Sequence, residues 1–123
     1  MHGDLLGGSL SSTVVSVGLV EDGRFVATAE PDPEDPAFAG HFPGFPLLPG
    51  VYTIDFVHRA VLMIEPDRGL VEVETCRLLR PIGPGEPLLI KATLRGPHCE
   101  AEVSVGGQAA AVVRLRYAAE ESR

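Results

Sequence analysis

The chain has 123 residues, 45% of them apolar, which suits one domain able to bury its own core without a disulfide or a metal. Its net charge of −7, from 17 acids against 10 bases, argues against nucleic acid or an anionic membrane surface as a partner. The opening MHGDLLGGSLSS lacks the basic start and apolar run of a signal peptide, and no stretch reaches the ~20 apolar residues of a membrane span, so a cytoplasmic protein is expected.

Taken in chain order, residues 12–20, STVVSVGLV, are rich in β-branched side chains, and residues 24–30, RFVATAE, form a second such run after Glu21-Asp22-Gly23. An Asp-Gly step between two strand-like runs predicts a hairpin, because the tight turn requires positive φ. Residues 31–50 are interrupted by Pro31, Pro33, Pro36, Pro43, Pro46 and Pro49, which predicts a long loop. Ordered loops of that length are usually functional. From residue 51 the pattern becomes helical, with Ile54, Val57, Val61 and Ile64 at spacings of three and four. Pro49 stands just before this helix, and Pro66 and Gly69 end it. Val51, Phe56, Leu62 and Met63 add apolar residues on further sides, so the helix is expected inside a wrapped sheet.

Four further strands are predicted, over residues 70–81, 87–96, 98–105 and 108–117, separated by Gly83-Pro84-Gly85, Gly96-Pro97 and Gly106-Gly107. The last three are placed to form an antiparallel meander. One helix and about six strands make an α+β protein, a single domain over residues 1–123. Cys76 and Cys99 are too few for a zinc site or a CxxC pair and predict two reduced, half-buried thiols; no metal is expected. Charge is uneven: residues 21–35 hold six acids and one base, whereas residues 77–95 hold Arg77, Arg80, Lys91 and Arg95 against Glu86.

Two ionisable groups stand out. His41 sits among phenylalanines, prolines and glycines in the loop segment GHFPGFPLLPG, and Asp55 lies in the second turn of the apolar helix. His41 reads either as a loop histidine bonded to the backbone or as a base held in place. Asp55 reads either as the partner of Arg59, four residues on, or as a carboxyl kept neutral by burial. Together a histidine and a carboxylic acid in an apolar slot form the minimum set for removing a proton from carbon and protonating a departing hydroxyl. The free N–H groups of Gly50 and Val51 at the helix start could polarise a carbonyl, and glycine at 50 allows close approach.

Gly40-His41-Phe42-Pro43-Gly44, then Pro46, Pro49-Gly50-Val51 and Asp55, resemble the active-site signature of the β-hydroxyacyl-[acyl carrier protein] dehydratases of fatty-acid synthesis. Residues 76–86, CRLLRPIGPGE, are similar to that family's Arg-containing strand and Pro-Gly-acid turn, and the resemblance runs from about residue 12 to 117. It implies the hot-dog fold, a long central helix wrapped by a curved antiparallel sheet. It also implies dehydration of a 3-hydroxyacyl thioester to a trans-2-enoyl thioester, in fatty-acid or polyketide synthesis. His41 would remove the α-proton, Asp55 would protonate the leaving hydroxyl, and the Gly50 N–H would hold the thioester oxygen. Phe42 and Phe45 would keep the site dry, and Phe45, Phe56 and Met63 would line an acyl tunnel.

The resemblance implies no cofactor, the substrate riding on the phosphopantetheine of acyl carrier protein. It also implies a site shared between two subunits, in a homodimer, a higher oligomer or a heterodimer with a second hot-dog subunit. Arg59, Arg77, Arg80 and Lys91 are candidate bases for docking an acidic carrier. Where the family usually has glutamine this chain has Arg59, with His58 beside it, and a cation one turn from Asp55 favours its carboxylate form. Arg59, and the lack here of an N-terminal helix common in one branch of the family, motivate a second reading, a non-catalytic or half-active carrier-binding subunit paired with a complete partner. A hot-dog thioesterase is a third, since hydrolysis also uses a carboxylate and a helix N-terminus.

Overall fold

Alternation builds the strands, and glycine and proline set their ends. The computed structural model describes residues 13–32, 51–83 and 85–118. Its elements are β1 (Val14–Glu21), β2 (Arg24–Glu30), α1 (Val51–Ile64), β3 (Leu70–Leu78), β4 (Leu88–Arg95), β5 (His98–Val105) and β6 (Gln108–Tyr117). The expected α+β architecture is present, with six strands in one antiparallel sheet among the described residues. Asp22 and Gly23 join β1 to β2 with φ of 53° and 78°, the paired positive values of a tight hairpin turn. A side chain at Gly23 would meet the Leu94 carbonyl oxygen at 2.6 Å, so the position also needs glycine to let β4 pass. β3 ends three residues before its expected limit. There the N–H groups of Leu79 and Arg80 both turn to the Ala110 carbonyl, and Pro81 has no N–H to continue the ladder.

The strand order is β1-β2-β4-β5-β6-β3, so β4, β5 and β6 form the expected meander and β3 is added at its far side. α1 packs against β1, β3 and β6. Among the described residues β1 and β3 are the two outermost strands, and five strand spacings would separate them by roughly 24 Å if the sheet were flat. A helix only about 10–12 Å across reaches both edges because the sheet curls around it. The inner face is alternating and small. Ala27, Ala29, Ala92, Ala101 and Ala111 interleave with Phe25, Ile90, Val103, Val113 and Leu115, leaving room for Phe56, Val57 and Val61 of the helix, none of them exposed. Pro66 stops the helix, whose end is tied by the Glu65 N–H to the Val61 carbonyl and by an ion pair between Arg68 and Glu65.

The outer face is polar. Glu100 meets Arg114 at 2.9 Å and Glu72 meets Arg116 at 2.7 Å across neighbouring strands. Such exposed pairs contribute about 1 kcal/mol at most and mainly keep this face wet. The helix is less enclosed than its composition suggests. Val51 and Met63 remain exposed, as do Val73 and Leu78 on the helix side of β3 and Val71 and Leu79 beside them. The cysteines differ from expectation in the same way: Cys99 faces inward on a central strand and is fully buried, whereas Cys76 lies on the edge strand and is exposed. Neither is half-buried, because position in the sheet decides cover. Burial pushes the Cys99 thiol up to about 12, so it is inert at neutral pH.

Candidate active site

The first two turns of α1 carry the polar groups of the site. Thr53 is fully buried, and its Oγ1 lies 3.9 Å from Cys76 Sγ, so the second half of β3 runs beside the helix start. Two residues on, Asp55 projects from the helix with its side chain 21% exposed and its Oδ2 3.5 Å from Arg59 Nη1. The i,i+4 pair expected as one alternative is therefore formed. Arg59 Nη2 also donates to the Thr13 carbonyl oxygen at 2.7 Å, which ties the helix to the start of β1.

His58 turns the other way. Its Nδ1 shares a hydrogen bond of 2.9 Å with the Tyr117 hydroxyl, and the two rings stack with centroids 5.7 Å apart. Tyr117 is buried at the end of β6, with the Arg68 guanidinium 6.0 Å from its ring centre. Burial raises the Tyr117 phenol, so it stays protonated, and burial lowers the His58 imidazole while the Asp55 charge acts in the opposite direction. The folded state thus binds the His58 proton less readily than the unfolded chain does. Its contribution to stability is complete above the ordinary value of 6.5 and is lost as pH falls through that value toward the depressed one. The melting temperature should therefore fall more steeply with acidification in the natural chain than in His58→Gln. Parallel curves for the two proteins would refute this.

The predicted site residues divide clearly. His41, Phe42, Phe45 and Gly50 lie outside the described residues. Val51 opens the helix beside Thr53 and is exposed. Phe56 is wholly within the core, while Met63 is 55% exposed at the far end of α1, so these two have different surroundings. Arg77, between the helix-side Cys76 and Leu78, takes the opposite face of β3, and both it and Arg80 are exposed. Lys91 pairs in register with Glu102 on the outer face of the sheet, across its thickness from Asp55. A depression of about 430 Å³ beside the β1–β2 turn, lined in part by Asp22, Arg24 and Lys91, borders none of Asp55, Phe56 or Met63. Among the described residues no group of three His, Cys, Asp or Glu side chains could hold a metal, and no helix is long and apolar enough to cross a membrane.

Sequence reasoning missed Tyr117, Arg68 and Thr13. Tyr117 was findable, since it continues the inward alternation of Val113 and Leu115. The Thr13 contact was not, because its acceptor is a main-chain oxygen common to every residue type.

The sequence model of the ApeI-like dehydratases, described as "ApeI dehydratase", matches residues 19–114. The chain belongs to the ApeI-like dehydratase family. The ApeI-like chain is 30% identical over 98 residues to the 3-hydroxyacyl-[acyl-carrier-protein] dehydratase FabZ of Chlamydia trachomatis serovar L2, covering 68% of this chain but only 64% of that protein. It is 29% identical over 115 residues to FabZ of Oceanobacillus iheyensis, covering 83% of this chain and 82% of the relative. Among solved structures, the dehydratase heterocomplex ApeI:P from Xenorhabdus doucetiae superposes with a TM-score of 0.74 at 25% identity, covering 82% of the ApeI-like chain and 92% of its own. The hot-dog fold implied by the loop and helix residues is thereby established for the ApeI-like chain.

Proposed function

We propose that this chain dehydrates a 3-hydroxyacyl thioester to the trans-2-enoyl thioester, with the acyl group carried by acyl carrier protein in the cytoplasm. The observation that carries the reading is Asp55, a partly buried carboxyl on the second turn of the wrapped helix, within the region that fits the dehydratase family. His41 takes the α-proton, and electron density moves into the thioester carbonyl, whose oxygen the Gly50 N–H holds. The Cβ–O bond then breaks as Asp55 supplies the proton that completes water. The elimination is redox-neutral and needs no metal or redox cofactor. Purified protein given a 3-hydroxyacyl-carrier substrate should develop the ultraviolet absorbance of an enoyl thioester. Release of free carrier thiol instead would identify a thioesterase.

The exposed face of β3 supports a dimeric enzyme. Val71, Val73 and Leu78 on β3, and Leu79 just after it, are apolar and exposed, and among the described residues β3 pairs with β6 alone; an apolar strand edge of this kind is a template for a second chain. The matched structure being a heterocomplex favours a second form of the same reading, in which the neighbour is a different hot-dog subunit. Turnover that appears only after such a subunit is added would identify that form. Carrier docking is assigned to Arg77 and Arg80, which are both exposed. Turnover of the carrier-linked substrate should then weaken as salt rises, while a small pantetheine thioester is little affected. Equal salt sensitivity for the two substrates would remove the docking role.

A further inference from the structure

Arg59 is held from two sides, and the two contacts are unequal. Its Nη2 donates to the Thr13 carbonyl at 2.7 Å, a charge-assisted bond of full strength to a residue only 1% exposed. Its Nη1 approaches Asp55 Oδ2 at 3.5 Å, beyond the distance of a good hydrogen bond. The stronger contact does not involve the acid at all. A guanidinium anchored in this way stays in place whether or not Asp55 carries a proton.

We infer that Arg59 is a positioning residue: anchored on the Thr13 carbonyl, it holds a fixed positive charge beside Asp55 and so sets the pH range over which that carboxyl retains a proton to donate. The inference rests on the proposed role of Asp55 as the acid. In the elimination Asp55 begins as a carboxylic acid and ends as a carboxylate, its proton having left with the hydroxyl. A fixed cation stabilises the end state and so makes the proton a readier donor. The same cation reduces the fraction of molecules that hold the proton at a given pH. Arg59 therefore speeds the step where Asp55 is protonated and narrows, from the alkaline side, the range in which it is.

Other titratable or charged groups lie around this part of α1. His58 lies on the helix itself, Cys76 of β3 stands against Thr53, and Tyr117 of β6 meets His58 with Arg68 behind it. β1 contributes the Thr13 carbonyl. All of these persist when Arg59 is changed.

The test compares Arg59→Gln with Arg59→Lys in the full chain. Glutamine keeps an N–H donor for the Thr13 carbonyl but loses the charge, whereas lysine keeps the charge. Two readouts are taken, the pH profile of turnover and the titration of the Asp55 side-chain carboxyl by carbon-13 NMR without substrate. In Arg59→Gln the alkaline decline of the rate and the NMR midpoint should both move up by about one pH unit, the lower range for loss of a cation at this distance. The rate on the acid side should drop. Arg59→Lys should keep both midpoints near those of the natural chain. An unmoved NMR midpoint in a folded Arg59→Gln protein, or an equal shift in Arg59→Lys, overturns the inference. The NMR midpoint does not depend on catalysis. A shift seen there while Asp55→Asn retains full turnover would support the Arg59–Asp55 coupling and overturn the dehydratase role of Asp55 instead.

Discussion

Asp55→Asn should lower dehydratase turnover by at least ~100-fold, the lower range for loss of a positioned acid or base. Asparagine keeps the size and helix position of the side chain but has no acidic proton to give the departing hydroxyl. The exchange also removes an ion pair with Arg59 that is 3.5 Å long and partly exposed at both ends, with side-chain exposures of 31% and 21%. Pairs of that kind are worth about 1 kcal/mol or less, so the fold should tolerate the change. Arg59 keeps its bond to the Thr13 carbonyl in either case. The informative result is thus a large loss of rate with a small change in melting temperature. His41→Ala should lose rate to a similar degree, as expected of the other half of one proton relay. Unchanged turnover in both variants would remove the dehydratase assignment.

Phe56→Ala should destabilise the protein by about 3–5 kcal/mol, the usual range for emptying a buried aromatic site. Phe56 is among the largest fully buried side chains and belongs to a core cluster that joins the helix to the sheet. A loss of that size is a large share of the roughly 5–15 kcal/mol that holds a typical domain folded. Urea unfolding monitored by circular dichroism measures it directly. The result also decides what Phe56 does for the site. A side chain lining an open acyl tunnel would give little change in unfolding midpoint and an altered preference for chain length. A side chain that holds the helix in the sheet gives the reverse, and its complete burial leads us to expect the reverse.

Much of this architecture was legible because local chemistry fixed it. Asp22-Gly23, Gly96-Pro97 and Gly106-Gly107 each sit at a strand boundary, since a turn needs the φ values or the missing N–H that those residues supply. The alternation of β5 placed Cys99, Ala101 and Val103 on one face, and that face is buried. Alternation says which face a residue takes but not what lies against that face. Cys76 and Leu78 point to the helix side of β3 and remain exposed, because among the described residues β3 is the outermost strand and α1 does not fully cover it. The candidate acid was legible as a carboxylate on an apolar helix. Its fixed neighbour was only half legible, since the spacing showed Arg59 next to Asp55 and nothing in the side-chain pattern pointed to the Thr13 carbonyl. The loop that carries His41 and Gly50 lies outside the described residues, so that half of the expected constellation rests on its motif.

The strand order has one more consequence, which concerns time rather than space. β3 is made before β4, β5 and β6, yet among the described residues its neighbour in the sheet is β6. During synthesis the ladder between β3 and β6 can begin only once residue 111 has been added, and it is complete only at residue 117. Pairing across that separation comes with a loop-closure cost that local hairpins such as β4–β5 avoid. The ladder that sets β3 beside Thr53 is thus among the last of the described pairings that the growing chain can make.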